Sequence, residues 1–196
     1  MNKAISNSKL YEIAEQQGGY FSVRQARQAG FSRSLLSHHV KGGRFLRLRR
    51  GVYRLAWFPE TPHADLYVAW LAAGEKAVLS HESALLLYGL TDLLPTGIHL
   101  TVPRTASRRL SGVLFHTARL EAEEVTRREG LPVTTLLRTL TDLIRSGLAD
   151  EWIRQAVQQA LARGMVSKAA LEEEAHRRGG QVAAAIRAAL ENRHAV

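Results

Sequence analysis

Arg33, Ser34, Ser37, His38 and Lys41 are spaced so that a single helix would carry all of them on one side. At about 100° per residue they span about 140° of its circumference, and Leu35, His39, Leu36 and Val40 fill the rest. Guanidinium, ammonium, hydroxyl and imidazole groups are the groups that reach base edges and phosphate oxygens. His39 falls among the apolar residues and reads as a core or interfacial histidine. Just beyond the helix come Arg44, Arg47, Arg49 and Arg50, and Arg24 precedes it. Leu46 and Leu48 are expected to share one face of a hairpin with Tyr53 and Leu55. Arg47 and Arg54 then point the other way, and Gly51 supplies the turn. Arginines on the outer face and at the tip would track a phosphate backbone or enter a minor groove. An amphipathic surface helix followed by a solvated basic hairpin is the plain alternative.

The elements that must position these groups are legible around them. Leu10, Ile13 and Ala14 recur at helical spacing, which predicts a helix over about 6–17, stopped by Gly18-Gly19. Tyr20-Phe21 is a short extended piece. Ser22 with Gln25 forms a capping box for a helix from Val23 to Ala29, ended by Gly30. Ser32 caps the next helix, with Phe31 and Leu36 placed as a hydrophobic staple, and Gly42-Gly43 ends it. Two helices joined by a short Gly-containing turn and followed by a basic hairpin predict a winged helix-turn-helix.

Charge supports the same division. Residues 1–55 contain 11 Lys and Arg against 2 acids, so they hold the whole net charge of +9; the remainder has 16 of each sign. A basic module on a neutral body points to a polyanion partner. Arg outnumbers Lys 22 to 5, which suits bidentate phosphate and guanine recognition and also follows from GC-rich codons. The chain has no Cys, which excludes disulfides, thiol catalysis and Cys-ligated zinc. No secretory h-region and no apolar run near the ~20 residues of a membrane span are visible. A cytoplasmic protein without a membrane partner is expected.

The Pro-containing stretch 56–62 divides residues 1–58, the winged domain, from residues 63–196. The second part reads as α+β: a mixed domain with a small sheet and C-terminal helices. Helices are expected at 65–73, from Ser80 to near Gly89, and at about 135–146, 150–163, 167–178 and 181–193. Strands are expected at Ile98–Val102 and Val113–His116, with a hairpin around Glu129-Gly130. Between the first two strands, Arg104, Arg108 and Arg109 form a basic loop, a secondary contact for DNA or simply a solvated loop. No GxSxG, Walker A, HExxH or GxGxxG pattern occurs, so no catalytic residue is expected. Ser80 and Ser83 beside His81-Glu82 read as capping residues. His99 and His116 lie on strands whose pairing would bring them together, but two histidines without a third ligand do not make a metal site. No metal and no cofactor are expected. Glu172-Glu173-Glu174 reads as a solvated helix face, and Arg138 with Asp142 as an i,i+4 ion pair.

Taken together the chain resembles the AbiEi family of type IV toxin–antitoxin antitoxins and their stand-alone regulator relatives. The matching features are Gly30-Phe31-Ser32 at the turn, Arg50-Gly51-Val52-Tyr53 in the wing, Leu79–Ala84, Ile98–Pro103, Gly130–Thr135 and Arg138–Leu143. The resemblance covers about residues 8–178. It implies promoter binding and autoregulation by the N-terminal domain at repeated half-sites in double-stranded DNA. It also implies a C-terminal domain that helps counter a nucleotidyltransferase-like toxin. A non-enzymatic repressor and antitoxin is therefore expected. The alternatives are a nucleic-acid-processing enzyme delivered to DNA by its winged helix, and a regulator with no toxin partner.

Overall fold

The structure is a computed structural model and describes residues 6–91, 96–103 and 109–191. The chain divides into two compact units. One comprises Met1–Ala77 with Arg127–Leu131, the other Val78–Thr126 with Pro132–Val196.

The first unit begins with α1 (Asn7–Glu15), capped by Ser6, whose side chain accepts from the Lys9 amide. β1 (Tyr20–Ser22) leads directly into α2 (Val23–Gln28). Both halves of the capping box form here. Ser22 Oγ accepts from the Gln25 amide and Gln25 Oε1 accepts from the Ser22 amide. The Gln25 side-chain amide then donates to buried Gln17 at 2.9 Å, so the cap is locked to the end of α1. Ser32 caps α3 (Arg33–Lys41) by accepting from the Leu35 amide. The hairpin strands β2 (Phe45–Arg49) and β3 (Val52–Leu55) complete a three-stranded sheet in the order β1-β3-β2. This is the winged helix-turn-helix expected from the sequence. The unit runs past the connector to take in α4 (Ala64–Ala73), which buries residues on every side and stacks Tyr67 on Tyr20 at 5.0 Å.

The wing differs from the expected register. Phe45 pairs with Leu55 and Arg47 with Tyr53, whereas Leu46 pairs with Arg54. Phe45 and Leu55 are therefore the core residues, and Leu46 and Leu48 are exposed. Arg47 shares the Tyr53 face, and Arg54 lies on the other with Leu46. The β2 alternation runs one residue out of phase with the expected one, and in a strand a shift of one exchanges the two faces. A bulge between Arg47 and Arg49 interrupts the pairing, so a simple alternation does not extend along the strand.

The second unit is built on a five-stranded mixed sheet. Its strands are β4 (Val78–Leu79), β5 (Ile98–Val102), β6 (Val113–Thr117), β7 (Val125–Arg128) and β8 (Leu131–Thr134), in the order β6-β5-β4-β8-β7. β4 is central, antiparallel to β5 and parallel to β8, yet two residues are too short to show a period. The hairpin turn between β7 and β8 places Glu129 and Gly130 at φ of 50° and 81°, the left-handed pair that a tight type I′ hairpin turn requires. Helices α5 (His81–Leu87), α6 (Leu136–Arg145), α7 (Asp150–Ala162), α8 (Lys168–Arg178) and α9 (Gly180–Glu191) complete the unit.

Two sequence readings change here. Ser80 and Ser83 do not cap α5 through their side chains. Ser80 Oγ accepts from Thr101 Oγ1 at 2.8 Å and Ser83 Oγ accepts from the His99 amide at 2.8 Å, so both hydroxyls tie α5 to β5. Glu174 is not on a solvated face but 2% exposed, with only Glu172 and Glu173 outward. It accepts from Thr141, Arg177 and Arg178. Arg178 reaches on to Glu124 at 2.6 Å, Glu124 accepts from Arg138 at 2.6 Å, and Arg138 donates to Asp142 at 2.8 Å. The expected Arg138–Asp142 pair is thus one segment of a buried chain of charges joining α6, α8 and the start of β7.

Burial alone would raise the carboxyls of Glu124 and Glu174. Hydrogen bonds from Arg178 to Glu124, and from Arg177, Arg178 and Thr141 to Glu174, outweigh it and hold both below their ordinary value of 4.5. Burial wins at Asp142, which is raised. A lowered carboxyl contributes stability above its unfolded value and loses it as pH falls through the folded value; a raised one acts in the opposite sense. The protein should therefore lose stability as pH falls below about 4.5, with Asp142 partly offsetting the trend. Glu174→Ala leaves Arg178 with one carboxylate and should cost about 3–5 kcal/mol in urea denaturation. It should also flatten the acid limb of the stability–pH curve.

Candidate nucleic-acid interface

The first unit places α3 and the wing on either side of a groove. Arg33, Ser37 and Val40 line it from α3, Val23 and Arg27 from α2, and Arg47, Arg50, Gly51 and Tyr53 from the wing. Each side of the groove has a local cause. Leu36 turns inward to the core, which leaves Arg33 and Ser37 exposed on the flank of α3 beside it. The wing is anchored at its turn by the Val23 amide, which donates to the Gly51 carbonyl at 2.8 Å. Gly51 sits at φ 82°, a conformation that a side chain would strain. Arg47 enters the groove because it shares the Tyr53 face.

Phe45 sets the relation between helix and wing. It is 2% exposed and its ring meets Phe21 edge-on at 5.1 Å, Phe31 at 6.0 Å and His39 at 4.9 Å. His39 is part of this aromatic junction, as its position among the apolar residues suggested. Burial, then the charge of Arg44, lowers its pKa and favours the neutral ring.

The structure brings Arg33, Ser37, Arg47 and Arg50 together in one groove. Among the described residues, no carboxylate lies within ion-pair distance of Arg27, Arg33, Arg47 or Arg50. Ser34, His38 and Lys41 are exposed on α3 outside the groove lining, and Ser34 Oγ lies 2.9 Å from Ser32 Oγ. Arg44 is exposed at the start of the wing, and Arg49 is half-buried at its tip. Arg24 points elsewhere, 3.8 Å from Glu75. Arg109 is exposed, and Arg104 and Arg108 lie outside the described residues. Arg27 was not among the candidates. Its only signal was a basic residue in the last turn of α2, one turn before the helix-turn-helix corner.

In the second unit His99 and His116 do meet, as the strand reading anticipated, with Nδ1 of the first 3.0 Å from Nε2 of the second. His81, at the start of α5, stacks on His116 with centroids 3.5 Å apart. One ring nitrogen from each of the three lies within 4.8 Å of the others. Burial, reinforced by the neighbouring rings, lowers His81 to about 3 and lowers His116 as well. His81 and His116 are thereby held as neutral imidazoles, the form that binds a metal.

Residues 8–56 match the model of a family described as transcriptional regulators, AbiEi antitoxin. The match covers α1 through β3, the whole of the winged helix-turn-helix. No curated protein matches the chain. A crystal structure of the RV2827C protein from Mycobacterium tuberculosis aligns at 15% identity and a TM-score of 0.41, covering 99% of this chain and 84% of that one. No helix among the described residues is long and apolar enough to cross a membrane.

Phe45→Ala should cost about 3–5 kcal/mol, since it removes the ring on which helix, wing and β1 converge. The first unit should also lose definition of the groove, read as collapse of the amide chemical-shift dispersion of α3 and the wing.

Proposed function

We propose that this chain is a non-enzymatic, DNA-binding transcriptional regulator and antitoxin that represses its own promoter in the bacterial cytoplasm. The observation that carries the reading is the groove of unpaired arginines between α3 and the wing, inside the segment that holds the whole net charge and matches the regulator family. Residues at the N-terminal end of a recognition helix meet base edges, so Arg33, the first residue of α3, is assigned to a guanine, with Ser34, Ser37 and His38 beside it. Arg47, Arg49 and Arg50 on the wing contact phosphates, and Lys41 and Arg44 add charge at the margins. Repeated half-sites in the operator would be read by successive copies. The nearly neutral second unit adds little net attraction to DNA, and its task is to counter a nucleotidyltransferase-like toxin. The buried ion chain there serves packing, since every one of its guanidiniums is satisfied by carboxylates.

Binding of the full chain to its own upstream region should weaken steeply with salt, with log K falling by roughly 0.9 for each phosphate neutralised. Arg33→Ala should cost about 1–3 kcal/mol on the operator and relax specificity, whereas Arg50→Ala should weaken specific and random duplexes alike. Fluorescence anisotropy on both duplexes separates the two. Equal losses on both from Arg33→Ala would remove its assigned role.

The two activities should also separate in cells. An Arg33→Ala, Arg50→Ala double variant should derepress a reporter fused to the native promoter and still rescue growth against a nucleotidyltransferase toxin encoded beside the gene. Failure of the wild-type chain to rescue would leave the regulator reading and remove the antitoxin one.

A further inference from the structure

His81, His99 and His116 are far apart in the sequence and converge for no reason that DNA binding supplies. His99 and Thr101 lie on one face of β5, and His116 of the adjacent parallel strand β6 is in register with Thr101. His81 arrives from the start of α5, which is held against β5 by the Ser83–His99 and Thr101–Ser80 hydrogen bonds. Three elements therefore fix the three rings.

The polar atoms at the centre of this cluster are crowded in a way that hydrogen bonds do not resolve. His99 Nδ1 lies 3.0 Å from His116 Nε2 and 2.9 Å from Glu82 Oε2. A single proton on His99 Nδ1 cannot point at both. Glu82 Oε2 is buried and has no aligned hydrogen-bond donor among the described residues. One ring nitrogen of each histidine thus lies within 4.8 Å of the other two, and a cation between the rings takes up their lone pairs, with Glu82 beside His99 to balance its charge. With zinc bonds of about 2.0–2.1 Å, ligand atoms in a tetrahedron stand about 3.4 Å apart. The 3.0 Å between His99 and His116 needs to open by a few tenths of an ångström, while the ligand nitrogen of His81 already lies within 4.8 Å of theirs and Glu82 is drawn in from beside His99.

We propose that His81, His99, His116 and Glu82 form a zinc site in the second unit. His81 Nδ1 lies 3.0 Å from Ser80 Oγ, and in the tautomer that donates to this hydroxyl Nε2 carries the lone pair for the metal. An oriented outer partner of this kind is what a metal-bound imidazole requires. His81 also adopts φ 52°, an uncommon conformation for a residue other than glycine, which persists where the surroundings demand it. Near-parallel stacking of His81 on His116 must splay for both rings to bind in plane. Arg138, whose charge reaches His81, is neutralised by Glu124 and Asp142. Three imidazoles with one carboxylate suit zinc, whose tetrahedral preference accepts nitrogen and oxygen ligands together. With Glu82 drawn in as the fourth ligand the coordination shell is closed, so the role is structural: the metal clamps the start of α5 and the edge strand β6 to β5.

This inference is independent of the DNA-binding reading. The test uses full-length, tag-free protein freed of metal with a chelator. Titration with Co2+ alone should produce visible ligand-field bands of tetrahedral intensity that saturate at one ion per chain, and Zn2+ should abolish them. Zn2+ should raise the melting temperature. His116→Ala, on an edge strand and checked for folding by circular dichroism, should weaken Zn2+ by at least about 100-fold in competition with a chromogenic chelator. Glu82→Gln should weaken it by about 10-fold or more. His176→Ala, on the exposed face of α8, should bind as wild type. The proposal fails if folded wild type binds no Zn2+ tighter than about 10 µM. It fails equally if His116→Ala binds as tightly as wild type, or if Co2+ gives only weak octahedral bands.

Discussion

The packing of Phe45 is the constraint on which the winged helix-turn-helix depends. A winged helix works only if helix and wing keep a fixed angle, because each must meet a different part of the same duplex. Here that angle is set by one ring wedged among Phe21, Phe31 and His39, with Leu36 and Leu55 closing the core around it. Aromatic rings suit the task because edge-to-face contacts favour particular orientations as well as burying area. The same junction decides which arginine enters the groove. Phe45 points inward, so Arg47, two residues on, shares its side of the strand and joins Arg33 and Arg50.

The second half is organised by a different interaction. Glu124, Arg138, Asp142, Glu174 and Arg178 form a buried chain of alternating charge. Taking such groups out of water is costly, and the chain is tolerable only because nearly every donor has an acceptor. Its value is specificity of arrangement, since α8 can dock only where Arg178 reaches Glu124 and Glu174 reaches Thr141 of α6. The N-terminal half has the reverse economy. Its groove arginines, Arg27, Arg33, Arg47 and Arg50, stay exposed with no carboxylate partner among the described residues, which costs little in isolation and leaves them free to exchange counterions for phosphates.

Local elements and charge distribution were determined by the sequence alone. The caps at Ser22 and Ser32, the glycine stops, the apolar face of α3 and the C-terminal helices all depend on residues within a few positions of one another. The concentration of positive charge in residues 1–55 needs no fold to be seen. Where the reading failed, the missing information was non-local. The face of β2 depends on a bulge and on the core's choice of Phe45 over Leu46. The burial of Glu174 depends on Arg178 and Thr141, the second of them 33 residues away. Strand β4 is held by two neighbours and has no pattern of its own. Only the tertiary structure could bring His81 to His99 and His116, because their meeting requires a helix start and two parallel strands to converge. Spacing along the chain records the periodicity of single elements, while contacts between elements are decided by how their faces pack.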